Sequence, residues 1–337
     1  MDEERMRLAG LGHAQGALQR YRRREARRKN IEQRQQQGED FPDSPSAIEA
    51  RVEHLAQQWR VERAEEPPGG TELLDRLLGR GGSFPWNWLA RGANAGKSVV
   101  RISHPTQALK PPGTGFLVSP RLLLTAAHVL PDQESAAHAH VEFEVQSDID
   151  GTPATPKKYH LEPHSFFVAN REINYACVQV GARFDGQLPG ETFGWNRLSA
   201  SPGKVLIGEP INIIGHPGGR PKEASIRDNR VQDQLDSFLH YEADTEPGSA
   251  GSPVFNDQWE VVAVHLSKVP RTDHEGRVLS LDGRYWQPRD GEEAITWLAL
   301  EGVRISSILR DLANSPISPR GKSLLAEMGA ASGFQEE

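Results

Sequence analysis

From Ser98 onward the chain breaks into short apolar and β-branched runs, each ended by turn residues before a helix could mature. The runs are Val99–Ile102, Gly115–Val118, Leu122–Leu124, Val141–Val145, Ala176–Val180, Val205–Ile207, Ile211–Ile214, Val254–Phe255 and Val261–Val264. Between them fall Pro111-Pro112-Gly113, Pro131-Asp132, Pro202-Gly203 and Pro217-Gly218-Gly219. Regularly spaced short strands with few helices predict an all-β barrel or sandwich. The 32 glycines and 24 prolines among 337 residues supply the turns, and the 36% hydrophobic share is enough for a real core.

Residues 1–66 have a different character: Gly and Pro are sparse and Gln, Glu, Arg and Ala abundant. Two helices are predicted there, from about Arg5 to Gln35 and from Ser46 to Arg63. The Ser44-Pro45-Ser46 start signal, with Glu49 three residues after Ser46, reads as a capping box. Ile48, Val52, Leu55, Trp59 and Val61 fall mostly on one face of the second helix. A short helix, Glu72–Leu78, and an irregular stretch with Phe84, Trp86 and Trp88 follow. Ile305–Leu312 reads as a helix, with a weaker helical tail after it.

Several classes of function are disfavoured. No apolar run reaches eighteen residues, so no membrane helix is expected, and MDEERMRLAG lacks a signal-peptide core. The lone Cys177 cannot form an internal disulfide and is expected within a core strand, which points to a reducing, cytoplasmic setting. A net charge of −7 argues against a nucleic-acid coat, and the run Arg22, Arg23, Arg24, Arg27, Arg28 and Lys29 reads as a solvated helix face paired with Glu25 and Glu32. Gly92-Ala93-Asn94-Ala95-Gly96-Lys97-Ser98 is one residue short of a phosphate-binding loop and has no clear strand before it. The histidines show no paired metal spacing, so neither metal nor cofactor is expected.

Two segments carry chemistry. Gly113-Thr114-Gly115-Phe116-Leu117-Val118-Ser119-Pro120 is followed by Leu122-Leu123-Leu124-Thr125-Ala126-Ala127-His128-Val129: two strands, then a small-residue turn ending in an imidazole suited to act as a general base. Asp244-Thr245-Glu246-Pro247-Gly248-Ser249-Ala250-Gly251-Ser252-Pro253-Val254-Phe255 is a glycine-rich turn that can aim successive N–H groups into one cavity, as an oxyanion hole requires. Together, and with Ile214-Gly215-His216-Pro217-Gly218-Gly219 before the second and Trp259–His265 after it, they resemble the chymotrypsin-like, or trypsin-like, serine peptidases. The nearest likeness is to the disulfide-free bacterial branch that includes the glutamyl endopeptidases.

The resemblance covers about residues 96–312 and implies two six-stranded antiparallel barrels with the active site in the crevice between them. The chain then divides into a helical N-terminal extension (1–66), a linker with a short helix (67–95), the peptidase domain (96–312) and a C-terminal tail (313–337). Position by position, His128 matches the general base. Asn174, in Ile173-Asn174-Tyr175-Ala176, stands where the family carries aspartate, and Ala250 stands where it carries the nucleophilic serine. Alanine cannot form an acyl-enzyme, and asparagine at the acid position favours the wrong imidazole tautomer. Ser249 and Ser252 flank Ala250 but point elsewhere in so tight a turn, and Glu172 or Asp185 could in principle supply a displaced carboxylate. The oxyanion hole, from the N–H groups of Gly248 and Ala250, is expected to persist.

Thr245 and His265, with Ser267 nearby, match the family's pocket for an acidic P1 side chain, whereas Asp244 stands where a basic-selecting aspartate would lie. Both preferences remain open at this level, and the polar stretch Lys268–Gly291 reads as a long loop beside the pocket. The resemblance implies a serine endopeptidase in inactive form, by engineering or natural loss, that takes a protein or peptide in its cleft and meets a protein partner through its N-terminal helices. A bacterial defence or toxin-activation cascade fits that plan. The alternative is a natural pseudopeptidase that serves as a peptide-binding module.

Overall fold

Fourteen strands form among the residues that the computed structural model describes, namely 14, 16–63, 66–77, 84–104, 112–183, 186–226, 229–243, 245–275 and 277–329. They are β1 (Val99–Ser103), β2 (Gly113–Leu117), β3 (Leu122–Ala126), β4 (His140–Phe143), β5 (Lys157–His160), β6 (Phe167–Asn170), β7 (Tyr175–Gln179), β8 (Asn212–Gly215), β9 (Glu223–Ser225), β10 (Arg230–Gln234), β11 (Phe238–Glu242), β12 (Pro253–Phe255), β13 (Val261–Pro270) and β14 (Trp297–Arg304). The first sheet has the order β5-β4-β1-β2-β3-β7-β6 and the second β10-β11-β14-β13-β12-β8-β9, every pairing antiparallel.

Each sheet curls back on itself. Leu161 bridges Val180, and the Gly181 N–H donates to the His160 carbonyl at 2.9 Å, so the end of β5 returns to the end of β7. In the second sheet Pro210 bridges Arg230, and the Ile211 N–H donates to the Asn229 carbonyl at 3.1 Å. The expected count was six strands per barrel, and seven form in each. β6 shares one edge of β7 with the end of β5, and β9 shares the edge of β8 with the start of β10, so each ring of six carries one hairpin strand more.

Period-two side-chain alternation builds two cores from the same strands. Ile213 and Val254 enter the cluster inside the second sheet, with Ile211, Val231, Leu239 and Tyr241. Their neighbours Ile214 and Phe255 join the larger cluster, which holds the first sheet's interior and the C-terminal helices. Contacts of β1 with β8 and of β3 with β13 place the two sheets side by side, with a seam between them.

Helices α1 (Glu25–Gln36), α2 (Pro45–Arg63), α3 (Gly70–Leu77) and α4 (Asn87–Lys97) precede β1, and residues 16–23 are helical as well. The expected helix start at Arg5 and the end of Glu72–Leu78 lie outside the described residues. Ser44, not Ser46, caps α2: its hydroxyl accepts from the Ala47 N–H at 3.3 Å, with Pro45 in the first helical position. Ile48, Val52, Leu55 and Trp59 pack with Leu73, Leu74 and Leu206 as the apolar face requires, but Val61 is exposed. The run at Val205–Ile207 forms no strand, because the Ile207 N–H donates to the Asp43 carboxylate at 2.9 Å instead of to a ladder partner.

The arginine run is also not a solvated face throughout. Arg24 makes a bidentate pair with buried Asp233 at 2.8 and 2.9 Å, and Arg27 reaches the same carboxylate at 3.3 Å. Lys29 does pair with Glu25, at 2.8 Å. The phosphate-loop look-alike is helical, within α4; a Cβ at Gly92 would lie 2.3 Å from the Trp259 ring, so its glycine serves helix packing. Trp88, expected in an irregular stretch, belongs to α4 and donates to the Asp257 carbonyl at 2.7 Å. The expected Lys268–Gly291 loop begins as β13, which runs to Pro270, and bridges Thr272–Val278 and Leu279–Tyr285 fold it back. α5 (Gln133–Ala137) lies between β3 and β4 and α6 (Pro189–Phe193) between β7 and β8, and α7 (Ile305–Asn314) and α8 (Pro319–Ala326) follow β14. No helix among the described residues is long and apolar enough to cross a membrane.

A buried ion pair joins α2 to the turn that leads into β8 of the second sheet. Arg51 and Glu209 meet bidentately at 2.7 and 2.8 Å with side chains only 1% and 6% exposed. Arg51→Met leaves a buried carboxylate unpaired and is expected to cost about 3–5 kcal/mol in denaturant unfolding; Arg51→Met combined with Glu209→Gln should recover part of that loss.

Glu260 offers a pH test. Burial pushes its carboxyl up, but bonds from His54 (2.8 Å) and Asn256 (2.9 Å) and the charge of Lys204 outweigh this and hold it at about 2. A depressed folded value means that the stabilisation is present above the ordinary value of 4.5 and is lost as pH falls toward 2. Urea titrations across that window should show this loss, and His54→Gln should flatten it.

Candidate active site

Register brings the first two functional positions together. Ala126, the last residue of β3, pairs with Tyr175, the first of β7, so the turn bearing His128 abuts the residue before β7. That residue, Asn174, is buried with φ 60°, a left-handed conformation that Asn and Asp tolerate better than other side chains. Its carbonyl accepts from the Ala127 N–H at 3.2 Å, and its Oδ1 accepts from the His128 main-chain N–H at 3.1 Å. A main-chain N–H donates whatever the imidazole tautomer, so this bond fixes which end of the amide is oxygen.

The other end, Nδ2, then lies 3.0 Å from His128 Nδ1, nearer than Oδ1 at 3.3 Å. An amide nitrogen only donates, so the shorter contact has Nδ1 accepting and the imidazole proton on Nε2, whereas the Oδ1 contact would need Nδ1–H. A base in this position needs Nε2 unprotonated. A carboxylate would reverse the arrangement, because its second oxygen would accept from Nδ1–H.

The turn containing Ala250 is stapled to both barrels. The Ala250 carbonyl accepts from the Thr114 N–H of β2 at 2.9 Å, and the Gly251 N–H donates to the His265 carbonyl of β13 at 2.8 Å. Thr114 Oγ1 donates to the Gly248 carbonyl at 2.9 Å and accepts from the His216 N–H at 3.0 Å. Gly251 has φ +90°, and a Cβ there would come within 2.0 Å of the Thr114 oxygen, so no other residue fits.

One peptide plane orients the start of this turn. The Gly218 N–H donates to the Pro247 carbonyl at 2.6 Å. In a trans peptide the carbonyl and the following N–H point in opposite directions, so the Gly248 N–H is turned away from the Gly218 loop. Gly248 has φ +101°, and its Cβ would meet the His216 carbonyl at 2.7 Å. The 216–219 loop is itself held by the first barrel, since Arg101 donates to the Gly219 carbonyl at 2.7 Å.

Beside this turn stands His265, buried on β13. Burial first, then the charges of Lys268 and His128, pull its imidazole down to about 3, so it is neutral over the ordinary pH range. Its Nδ1 lies 2.7 Å from the hydroxyl of Tyr241, a fully buried phenol. The Thr245 hydroxyl is buried with no hydrogen-bond partner among the described residues, and Ser267 is half-buried opposite Glu301.

The structure therefore brings His128 to Asn174, and the Gly248–Gly251 turn to His265. Asp244 and Asp185 lie outside the described residues. Glu172 is exposed in the β6–β7 turn, where its N–H donates to Asn170 Oδ1 at 2.9 Å. Ser249 and Ser252 are both buried, and a Cβ on Gly215 would sit 2.1 Å from the Ser252 hydroxyl. Cys177 is buried in β7, and burial pushes its thiol up to about 12. The roles of Thr114, Gly218 and Tyr241 were not read from the sequence: the first two sit within legible motifs, but Tyr241 carries no local signal.

Residues 113–264 match the family model of the trypsin-like peptidase domain. The Sinorhizobium fredii protein y4fB is 34% identical over 273 residues, which is 74% of this chain and 40% of that protein. Exfoliative toxin A of Staphylococcus aureus is 24% identical over 168 residues, 49% of this chain and 59% of the toxin. A glutamyl endopeptidase of Staphylococcus aureus is 23% identical over 186 residues, 53% of each chain. The chain thus spans between 40% and 59% of the length of these relatives. Among solved structures, the active form of the Rv3671c protease from M. tuberculosis is 18% identical with a TM-score of 0.43, covering 68% of this chain and 86% of that one. The matched stretch, residues 113–264, is thus similar to trypsin-like peptidase domains.

The amide geometry gives a direct prediction. In ring-¹⁵N spectra His128 should show its proton on Nε2, and Asn174→Asp should move it to Nδ1. An unchanged tautomer in that variant would contradict the assignment.

Proposed function

We propose that this chain is a serine endopeptidase of acyl-enzyme type in catalytically inactive form. In this reading His128 is the general base, Asn174 occupies the acid position and Ala250 the nucleophile position, and the N–H groups of Gly248 and Ala250 form the oxyanion hole. The observation that carries it is the Pro247–Gly248 peptide, held by Gly218 with its N–H aimed away from that loop. A donor turn kept in this orientation is of use where charge develops on a carbonyl oxygen. Without a hydroxyl at Ala250 no acyl-enzyme forms. With asparagine at the acid position, even a restored serine would lose about 10⁴-fold in turnover.

The pocket reading favours an acidic P1 side chain. The buried Tyr241 hydroxyl needs an acceptor, and His265 Nδ1 at 2.7 Å is that acceptor. The neutral imidazole then presents Nε2–H, and the unpartnered Thr245 hydroxyl supplies a second donor. The likeness to a glutamyl endopeptidase supports the same preference. A protein or peptide in the cleft, an intracellular bacterial setting, and a partner recruited through the N-terminal helices in a defence or toxin-activation cascade complete the proposal.

A pseudopeptidase that binds peptides without cleaving them is the second reading, favoured by the tautomer that Asn174 imposes on His128. The two are separated by restoring the chemistry. Ala250→Ser together with Asn174→Asp should react with a fluorophosphonate probe and cleave peptides after Glu in preference to Arg. No labelling of the doubly restored chain would reject the endopeptidase reading, and cleavage after Arg or Lys would reject the acidic pocket.

A further inference from the structure

We propose that the helical segment 16–23 is a positioning element for the specificity pocket, acting from Arg20 through Glu301 and His240 on Tyr241 and His265. The inference rests on reading His265 as a wall of that pocket. Arg20 Nε donates to Glu301 Oε2 at 2.8 Å and Nη2 to Oε1 at 2.5 Å, a bidentate fork onto a carboxylate that is 1% exposed. His240 Nε2 lies 3.0 Å from the same Oε2. The Arg20 guanidinium stacks 3.9 Å above the Phe238 ring, and Tyr21 packs on His240 with centroids 5.4 Å apart. Two consecutive residues of the segment therefore grip β11 and β14 together.

The register shows where that grip is felt. Glu301 pairs with His240 on one side and with Ser267 on the other. The β13–β14 ladder slips between His265 and Ser267, and such a bulge re-aims a side chain. Tyr241 follows His240 on β11 and holds His265 Nδ1 at 2.7 Å. Burial pushes the Glu301 carboxyl up, but Arg20 and His240 outweigh it and keep the group ionised. Without Arg20 that buried charge would have only His240 beside it, and β11 and β14 would have to shift or take up a proton at the bulge that sets His265.

Arg24 provides the contrast. It anchors the same stretch to Asp233 on β10, two strands further from His265 than the β14 that holds Glu301.

The test uses ring-¹⁵N spectra of the chain as it stands, with the His265 signals identified by their loss in His265→Gln. Arg20→Met should move both His265 nitrogen signals, and Arg24→Met should move them less. Arg20→Lys, which keeps the charge but not the fork, should give an intermediate shift, and it carries the test if Arg20→Met does not fold. Unmoved His265 signals, or equal movement in the Arg20 and Arg24 variants, would overturn the inference whether or not the protein cleaves anything. In the chain restored at 250 and 174, Arg20→Met should raise KM for a P1-Glu peptide about tenfold, with a smaller change in kcat. Its fluorophosphonate labelling should fall much less than its affinity for that peptide. An equal loss in labelling and in every peptide would mark Arg20 as a general stability anchor and overturn the positioning role.

Discussion

The hydrogen bond from Gly218 to the Pro247 carbonyl organises the rest of the site. It sets one peptide plane, and that plane sets the direction of the Gly248 N–H. Everything that surrounds the bond comes from elsewhere in the fold. Arg101 of the first barrel holds the Gly219 carbonyl, Thr114 holds both the Gly248 carbonyl and the His216 N–H, and Gly251 leans on the His265 carbonyl. The turn is therefore a seam element, belonging to neither barrel alone. A substitution that loosened the contact between barrels would disturb it from a distance.

In the proposed reading, Asn174 and Ala250 differ from the expected aspartate and serine little in shape and much in chemistry. Asparagine occupies the left-handed position as aspartate would and keeps the bond to the His128 N–H, yet it exchanges an acceptor for a donor at Nδ1. Alanine keeps the turn's backbone bonds and lacks only the hydroxyl. The fold is thus independent of the chemistry at both positions, and a scaffold of this kind can keep its binding geometry without turnover.

The fold class and the motif-bearing turns were legible because they depend on local patterns: short β-branched runs, the Thr-Ala-Ala-His turn and the glycines around Ala250. β11 and β14 were passed over although largely apolar, and among the other strands that escaped notice are two with a polar or mixed pattern. β5, with Lys157 and Lys158 outward, and β10, with Arg230, Gln232 and Gln234, are held by pairing and closure and not by an apolar run. The error at Val205–Ile207 has the opposite cause, an apolar run whose backbone is satisfied by Asp43 from the extension. Arg24 and Arg27 of the extension were misread because their partner, Asp233, lies more than two hundred residues away in sequence. Tyr241, 24 residues before His265, escaped because no local motif marks the residue that pairs with that imidazole.

Pre-steady-state acylation by an activated ester, compared among Ala250→Ser, Asn174→Asp and the double variant, tests the central claim most directly. The claim is that the oxyanion turn is intact and that two side chains alone withhold the chemistry. It predicts a burst in the double variant that exceeds the serine-only variant by up to about 10⁴-fold, and none with Asn174→Asp alone. A double variant no faster than the unaltered chain would contradict the account.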